Sequence, residues 1–191
     1  MPSDSSLLRR RPIALARTAL ALCGLAALSG CGWFSSSSDP KGAAASCPSA
    51  VILRPLAQTA VFAPGAARQP AGVAFYGVLS DVEVKCDRIA GALRASLEIV
   101  LVGERGPAAG AAGTLDLQYF VAVTGPDQAI LSKRTLPVRI AIAPDARRSG
   151  VSDRIEEIIP LAGRPPGDLS IVLGFQQTPE VVEFYRNFRG R

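Results

Sequence analysis

The chain contains no histidine among its 191 residues. That absence removes serine–histidine and cysteine–histidine nucleophile systems, and with them the commonest zinc ligand sets. Cysteine is scarce, at four residues with no CxxC spacing, and aromatic residues make up only 6%. No basic tract of five residues occurs. Past the N-terminus only Lys133-Arg134 and Arg147-Arg148 stand as pairs, so nucleic-acid binding has no support and none is expected. No apolar run approaches the ~20 residues a membrane-crossing helix needs.

What is present near the start is more telling. Arg9, Arg10, Arg11 and Arg17 precede an eleven-residue apolar run, 18–28, which ends in Leu28-Ser29-Gly30-Cys31. A basic opening, a short apolar core and small residues before a break are the marks of a secretory signal. An ordinary cleaved signal would leave Cys31 as a structural cysteine. The four closing residues, however, resemble the lipobox of bacterial lipoproteins. The chain is similar in this respect to Gram-negative membrane lipoproteins with a type II signal peptide.

The resemblance implies cleavage between Gly30 and Cys31, a diacylglycerol on the Cys31 sulfur and an acyl chain on its freed amine. No other cofactor is expected. Two acyl chains already bind a bilayer stably, so three make release negligible. Gly32, rather than aspartate, follows the lipidated residue; by resemblance to enteric bacteria this favours the outer over the inner membrane. The expected location is therefore the cell envelope, facing the periplasm.

Removing residues 1–30 changes the arithmetic. It takes four of the 21 basic side chains and one of the 16 acidic ones, leaving 161 residues of net charge +2. It also takes Cys23, and lipid occupies Cys31. Cys47 and Cys86 remain in an oxidising compartment, and an even remainder there reads as a disulfide. Metal ligation or a reactive thiol are the competing readings, disfavoured without histidine. Residues 31–46 are rich in Ser, Gly and Ala, the composition of a flexible tether, with Trp33 and Phe34 placed where aromatic rings favour the headgroup zone. The folded domain is expected over 47–191.

Within it, alternation of apolar and polar residues predicts strands. Short strands are expected at 51–53 and 59–63, and a longer extended run at 73–86 in which Val82, Val84 and Cys86 share the buried face. The clearest pattern is Leu93, Ala95, Leu97, Ile99 and Leu101, with the strand ending at Gly103. Residues 103–113 are glycine-rich but have neither P-loop nor dinucleotide spacing, so they read as a connection. Leu115, Leu117, Tyr119, Val121 and Val123 form the next strand. A turn at 125–128 leads to a hairpin partner at 129–134, followed by a strand at 138–142. Residues 151–161 fit either a helix or a strand interrupted by charges, and the surrounding strands favour the strand. A last strand spans 169–175. Thr178-Pro179-Glu180 then opens a helix, with a hydroxyl cap and proline in the first turn, carrying residues 181–188 and ending at Gly190.

Seven or so short strands predict an all-β antiparallel sandwich, immunoglobulin- or fibronectin-like, with a short C-terminal helix. No catalytic residue emerges and no enzyme is expected. Ser132 and Lys133 are adjacent on a strand and face opposite ways, as do Glu156 and Glu157. The remaining acids sit mostly at outward positions. Three residues are candidates for a contact surface. Phe120 falls on the polar side of its strand, so it is either an exposed aromatic or covered by a second layer. Tyr185 and Arg186 belong to a C-terminal segment rich in residue types found at binding surfaces. The expected role is a lipid-anchored structural or interaction module docking on another envelope protein. A ligand-binding or transport-accessory lipoprotein is the alternative, and a hydrolase the third reading.

Overall fold

The computed structural model describes residues 46–110 and 113–188. The signal peptide, Gly30, Cys31 and all of the tether but Ser46 lie outside these residues. So does Gly190, the expected helix stop. The described chain is mostly β. Its elements are β1 (Ser49–Ile52), β2 (Gln58–Phe62), β3 (Val73–Ile89), β4 (Ala92–Arg105), β5 (Gly113–Thr124), β6 (Ile130–Ile142), β7 (Arg148–Pro160), β8 (Ser170–Phe175) and one helix, α1 (Pro179–Asn187). Among the described residues, no helix is long and apolar enough to cross a membrane.

The strands form two four-stranded sheets. Sheet I has the order β1-β8-β5-β6 and sheet II the order β2-β3-β4-β7. Every pairing is antiparallel except that of β1 with β8. The core is built from the inward side chains of both sheets. Leu93, Ala95, Leu97, Ile99 and Leu101 of β4 face Leu115, Tyr119 and Val121 of β5 and Ile171, Leu173 and Phe175 of β8 within one apolar cluster. This is the period-2 pattern that the sequence displays. Gly103 extends it, because a Cβ there would lie 3.0 Å from Leu115 and 3.2 Å from Ile142. Only a glycine lets the sheets approach this closely without displacing a neighbour.

Several boundaries differ from expectation. β3 cannot follow one period, because its register to β4 shifts between Leu79 and Asp81. That bulge moves the inward positions from Phe75 and Leu79 to Val82, Val84 and Cys86. β4 runs past Gly103 to Arg105, whose guanidinium is held by carbonyls. Its Nε donates to Ala146 O (3.0 Å), and its Nη2 to Ile142 O (3.1 Å) and Ala143 O (3.0 Å), while its Nη1 donates to Gly110 O. The two segments expected at 129–134 and 138–142 are one strand, β6, with Pro137 paired to Gln118 inside it. β6 is an edge strand, where a missing N–H has no second ladder to disrupt.

Of residues 151–161, all but Leu161 are strand, since β7 pairs with β4 along its full length. Thr178 is the N-cap of α1 and Pro179 its first residue, but the Thr178 hydroxyl makes no capping hydrogen bond. The Thr178 carbonyl instead accepts from Val182 N (3.1 Å).

Cys47 and Cys86 form the disulfide, with their Cα atoms 5.5 Å apart. Cys47 precedes β1 of sheet I and Cys86 lies in β3 of sheet II, so the bond staples the two layers together where the chain enters the domain.

Candidate functional site

The helix α1 builds the most developed surface feature. Val181 and Phe184 are its buried residues, and they are three apart, on one helical face. Phe184 joins Ala60 and Val73 in a second apolar cluster, with Phe62, Tyr76 and Tyr185 packed at its side. The rings meet edge to face: Phe62 and Phe184 have centroids 5.2 Å apart at 85°, and Phe184 and Tyr185 are 5.1 Å apart at 74°. Phe188 stacks at a tilt on Phe184, 5.2 Å away, and is 44% exposed. Gln177 pins the approach to the helix, its Nε2 donating to Gln58 O at 2.6 Å.

Between α1 and the outer side of sheet II runs an open groove of about 660 Å³, lined chiefly by Tyr76, Val78, Glu104, Tyr185, Asn187 and Phe188. Tyr76 faces it because the bulge further along β3 leaves the even-numbered residues outward at this end. Burial pushes the Tyr185 hydroxyl well above the ordinary tyrosine range, and neighbouring Tyr76 adds to the shift. Tyr76 is raised in the same direction, by burial and then by Glu104. Both phenols are therefore neutral donors at any physiological pH. Glu104 is bridged by Arg147 Nε at 3.3 Å and Arg148 Nη2 at 3.6 Å. The groove thus offers aromatic faces and two neutral hydroxyls beside a compensated carboxylate.

Of the three candidate contact residues, Tyr185 is half-buried in this groove and Arg186 is exposed on α1. Phe120 is not an exposed aromatic: it is 8% exposed. The cover is local. A Cβ on Gly174, its partner in β8, would meet both the Phe120 ring (3.0 Å) and Leu56 (2.7 Å), so the ring lies over the glycine beside the short 3-10 turn Arg54–Leu56. Lys133 Nζ sits 4.4 Å from the ring centroid. Phe120 is on the outside of sheet I and Tyr185 borders sheet II, so the fold does not join them into one surface.

Sequence reasoning missed a second cluster. β7 points Val151, Asp153, Ile155, Glu157 and Ile159 to one side, and the two acids are on it. The Tyr119 hydroxyl donates to Asp153 Oδ2 at 2.7 Å. Arg134 Nη2 lies 2.6 Å from Glu157 Oε1, off the hydrogen-bonding axis, so that this buried oxygen has no aligned donor. The guanidinium donates instead to Glu156 O at 3.2 Å. This cluster joins the sheets along the side where β6 and β7 are the edge strands. Its signal was the regular spacing of Val151, Ile155 and Ile159, which forces residues 153 and 157 onto the same face. Among the described residues, no group of three or more Cys, Asp or Glu side chains is placed to hold a metal. Set against known proteins, the chain matches no family model and no curated relative.

Proposed function

We propose that the chain is a lipid-anchored protein of the cell envelope whose sandwich domain docks on another envelope protein through the aromatic groove at α1. The observation that carries this reading is the groove itself. It is rimmed by Tyr76, Tyr185 and the exposed Phe188, with Arg186 beside it. Aromatic residues and arginine are the types enriched at protein interfaces, and the exposed Phe188 on the rim gives a partner surface an apolar anchor. The lipobox at Leu28-Ser29-Gly30-Cys31 supports the anchor, and the Cys47–Cys86 disulfide supports an oxidising compartment, in keeping with a periplasm-facing domain on the outer membrane.

The layered sheets and the pairing of the first strand with the last support an immunoglobulin- or fibronectin-like reading of the sandwich. The run β2-β3-β4 within one sheet counts against the constant-domain order, in which no three consecutive strands share a sheet.

The test is a photo-crosslinker placed at Phe188 in the cell. One dominant envelope protein should be captured, and Tyr185→Ala should reduce its yield several-fold. Recovery of abundant bystanders alone would sink the docking reading. Cys31→Ala tests the anchor separately, and should leave unprocessed, lipid-free protein.

A further inference from the structure

The end of the sandwich opposite α1 carries a different kind of surface. There the chain enters at Ser46, Ser49 pairs with Ser170, and Ser170 pairs with Thr124 at the end of β5. The turn that follows Thr124 and the first residues of β6 present Pro126, Ala129, Ile130 and Leu131 to solvent. Ile130 is 64% exposed and Leu131 44%, Ile130 the most exposed large apolar side chain of the described residues. Two adjacent exposed aliphatics at a hairpin tip cost solvation in an isolated domain.

The acid in the loop, Asp127, is exposed and caps the turn locally. Asp127 Oδ1 accepts from Ala129 N at 3.2 Å, and Gln128 holds a φ of 62° that brings the tip round. Arg88, Arg94 and Arg164 stand at this end against Asp87, Asp127 and Asp168, while the Lys133 ammonium leans away toward Phe120 and Gln176. The charges nearly balance, which leaves the apolar tip as the leading feature.

We infer that this hairpin tip, Pro126 with Ile130 and Leu131, rests in the headgroup region of the membrane that holds the lipid anchor. The inference builds on the anchor reading. Fourteen residues lie between Cys31 and Ser46, and a chain of that composition spans roughly 20 Å on average at ~5–6 Å × √n. That is shorter than the domain itself, since the eleven residues from Tyr76 to Cys86 alone cover about 30 Å of strand. On average the entry end is therefore nearer the bilayer than the far end, and the exposed aliphatics are at that end. A lipid surface is the occupant that the chain's own connectivity supplies.

The test uses the full acylated chain on vesicles of phosphatidylethanolamine with a minority of phosphatidylglycerol. Ile130→Cys gives a thiol for an environment-sensitive fluorophore, because Cys47 and Cys86 are bonded to each other and Cys31 carries lipid. Asp145→Cys, in the exposed loop at the far end, is the control. A blue shift and quenching by spin-labelled lipid at position 130, with at least a threefold weaker effect at 145, is expected. Equal signals at both positions, on protein that floats with the vesicles, would overturn the contact and leave the anchor standing. Failure of the chain to float would overturn the anchor reading and this inference with it.

Discussion

The Tyr119 hydroxyl and the Asp153 carboxylate, 2.7 Å apart, are a polar bond between two sheets that otherwise meet through apolar side chains. Tyr119 is fully buried. Tyr119→Phe removes the donor and leaves a carboxylate oxygen at the sheet interface, which should cost about 1–3 kcal/mol. Urea denaturation at neutral pH measures it.

The same pair sets an alkaline limit. Burial, and after it the bond to Asp153, raises the Tyr119 phenol above its usual value of 10.0. The native state thus keeps a proton that the unfolded chain releases above about pH 10. Stability from this source is fully present below pH 10 and is lost as the pH rises beyond it. The urea midpoint should fall between pH 9.5 and about 11.5, and Tyr119→Phe should flatten that fall. An unchanged slope in the variant would remove Tyr119 from the account.

Arg105 binds carbonyls of Gly110, Ile142, Ala143 and Ala146, so one side chain closes the end of the sandwich remote from the chain entry. Lysine keeps the charge but not the planar fork. Arg105→Lys should cost about 1–3 kcal/mol, and hydrogen exchange should quicken first at Gly106 and Ala108, whose amides bond to Ala74 and Val73.

Gly174→Ala tests the cover over Phe120. The added methyl would lie 2.7 Å from the Leu56 Cβ and 3.0 Å from the Phe120 ring. Overpacking of this kind costs about 1–3 kcal/mol. Adding Phe120→Leu should recover part of the loss, read as a coupling in a double-mutant cycle.

Reducing the Cys47–Cys86 bond, which spans 39 residues, should destabilise the domain by about 4 kcal/mol in the chain-entropy account. Paired urea melts with and without reductant measure it, and Cys47→Ser should match the reduced protein.

The legible part of the fold was its periodicity. β4 and β5 could be read directly because their inward residues, Leu93 to Leu101 and Leu115 to Val123, recur at every second position, and Cys86 could be placed inward from Val82 and Val84. Three features escaped because their causes lie in other strands. Pro137 reads as a break until its strand is known to be an edge. The bulge in β3 reverses the period without any glycine or proline to announce it. Asp153 and Glu157 were given to the surface because acids usually belong there; their partners, Tyr119 and Arg134, are 34 and 23 residues away in sequence. The groove at α1 was half visible. Tyr185 and Arg186 could be singled out by type, but Tyr76 required the register of sheet II.

The parallel pairing of β1 with β8 governs the order in which this domain can assemble. A chain that emerges N-terminus first presents β1 more than a hundred residues before the strand it lies against. In sheet I the β5–β6 hairpin can form early, but β1 must wait for β8, whereas β2, β3 and β4 can associate as they appear. Closure is thus deferred: the first strand finds its place only once β8 has been made. Until then its edge is open to any other strand that comes near.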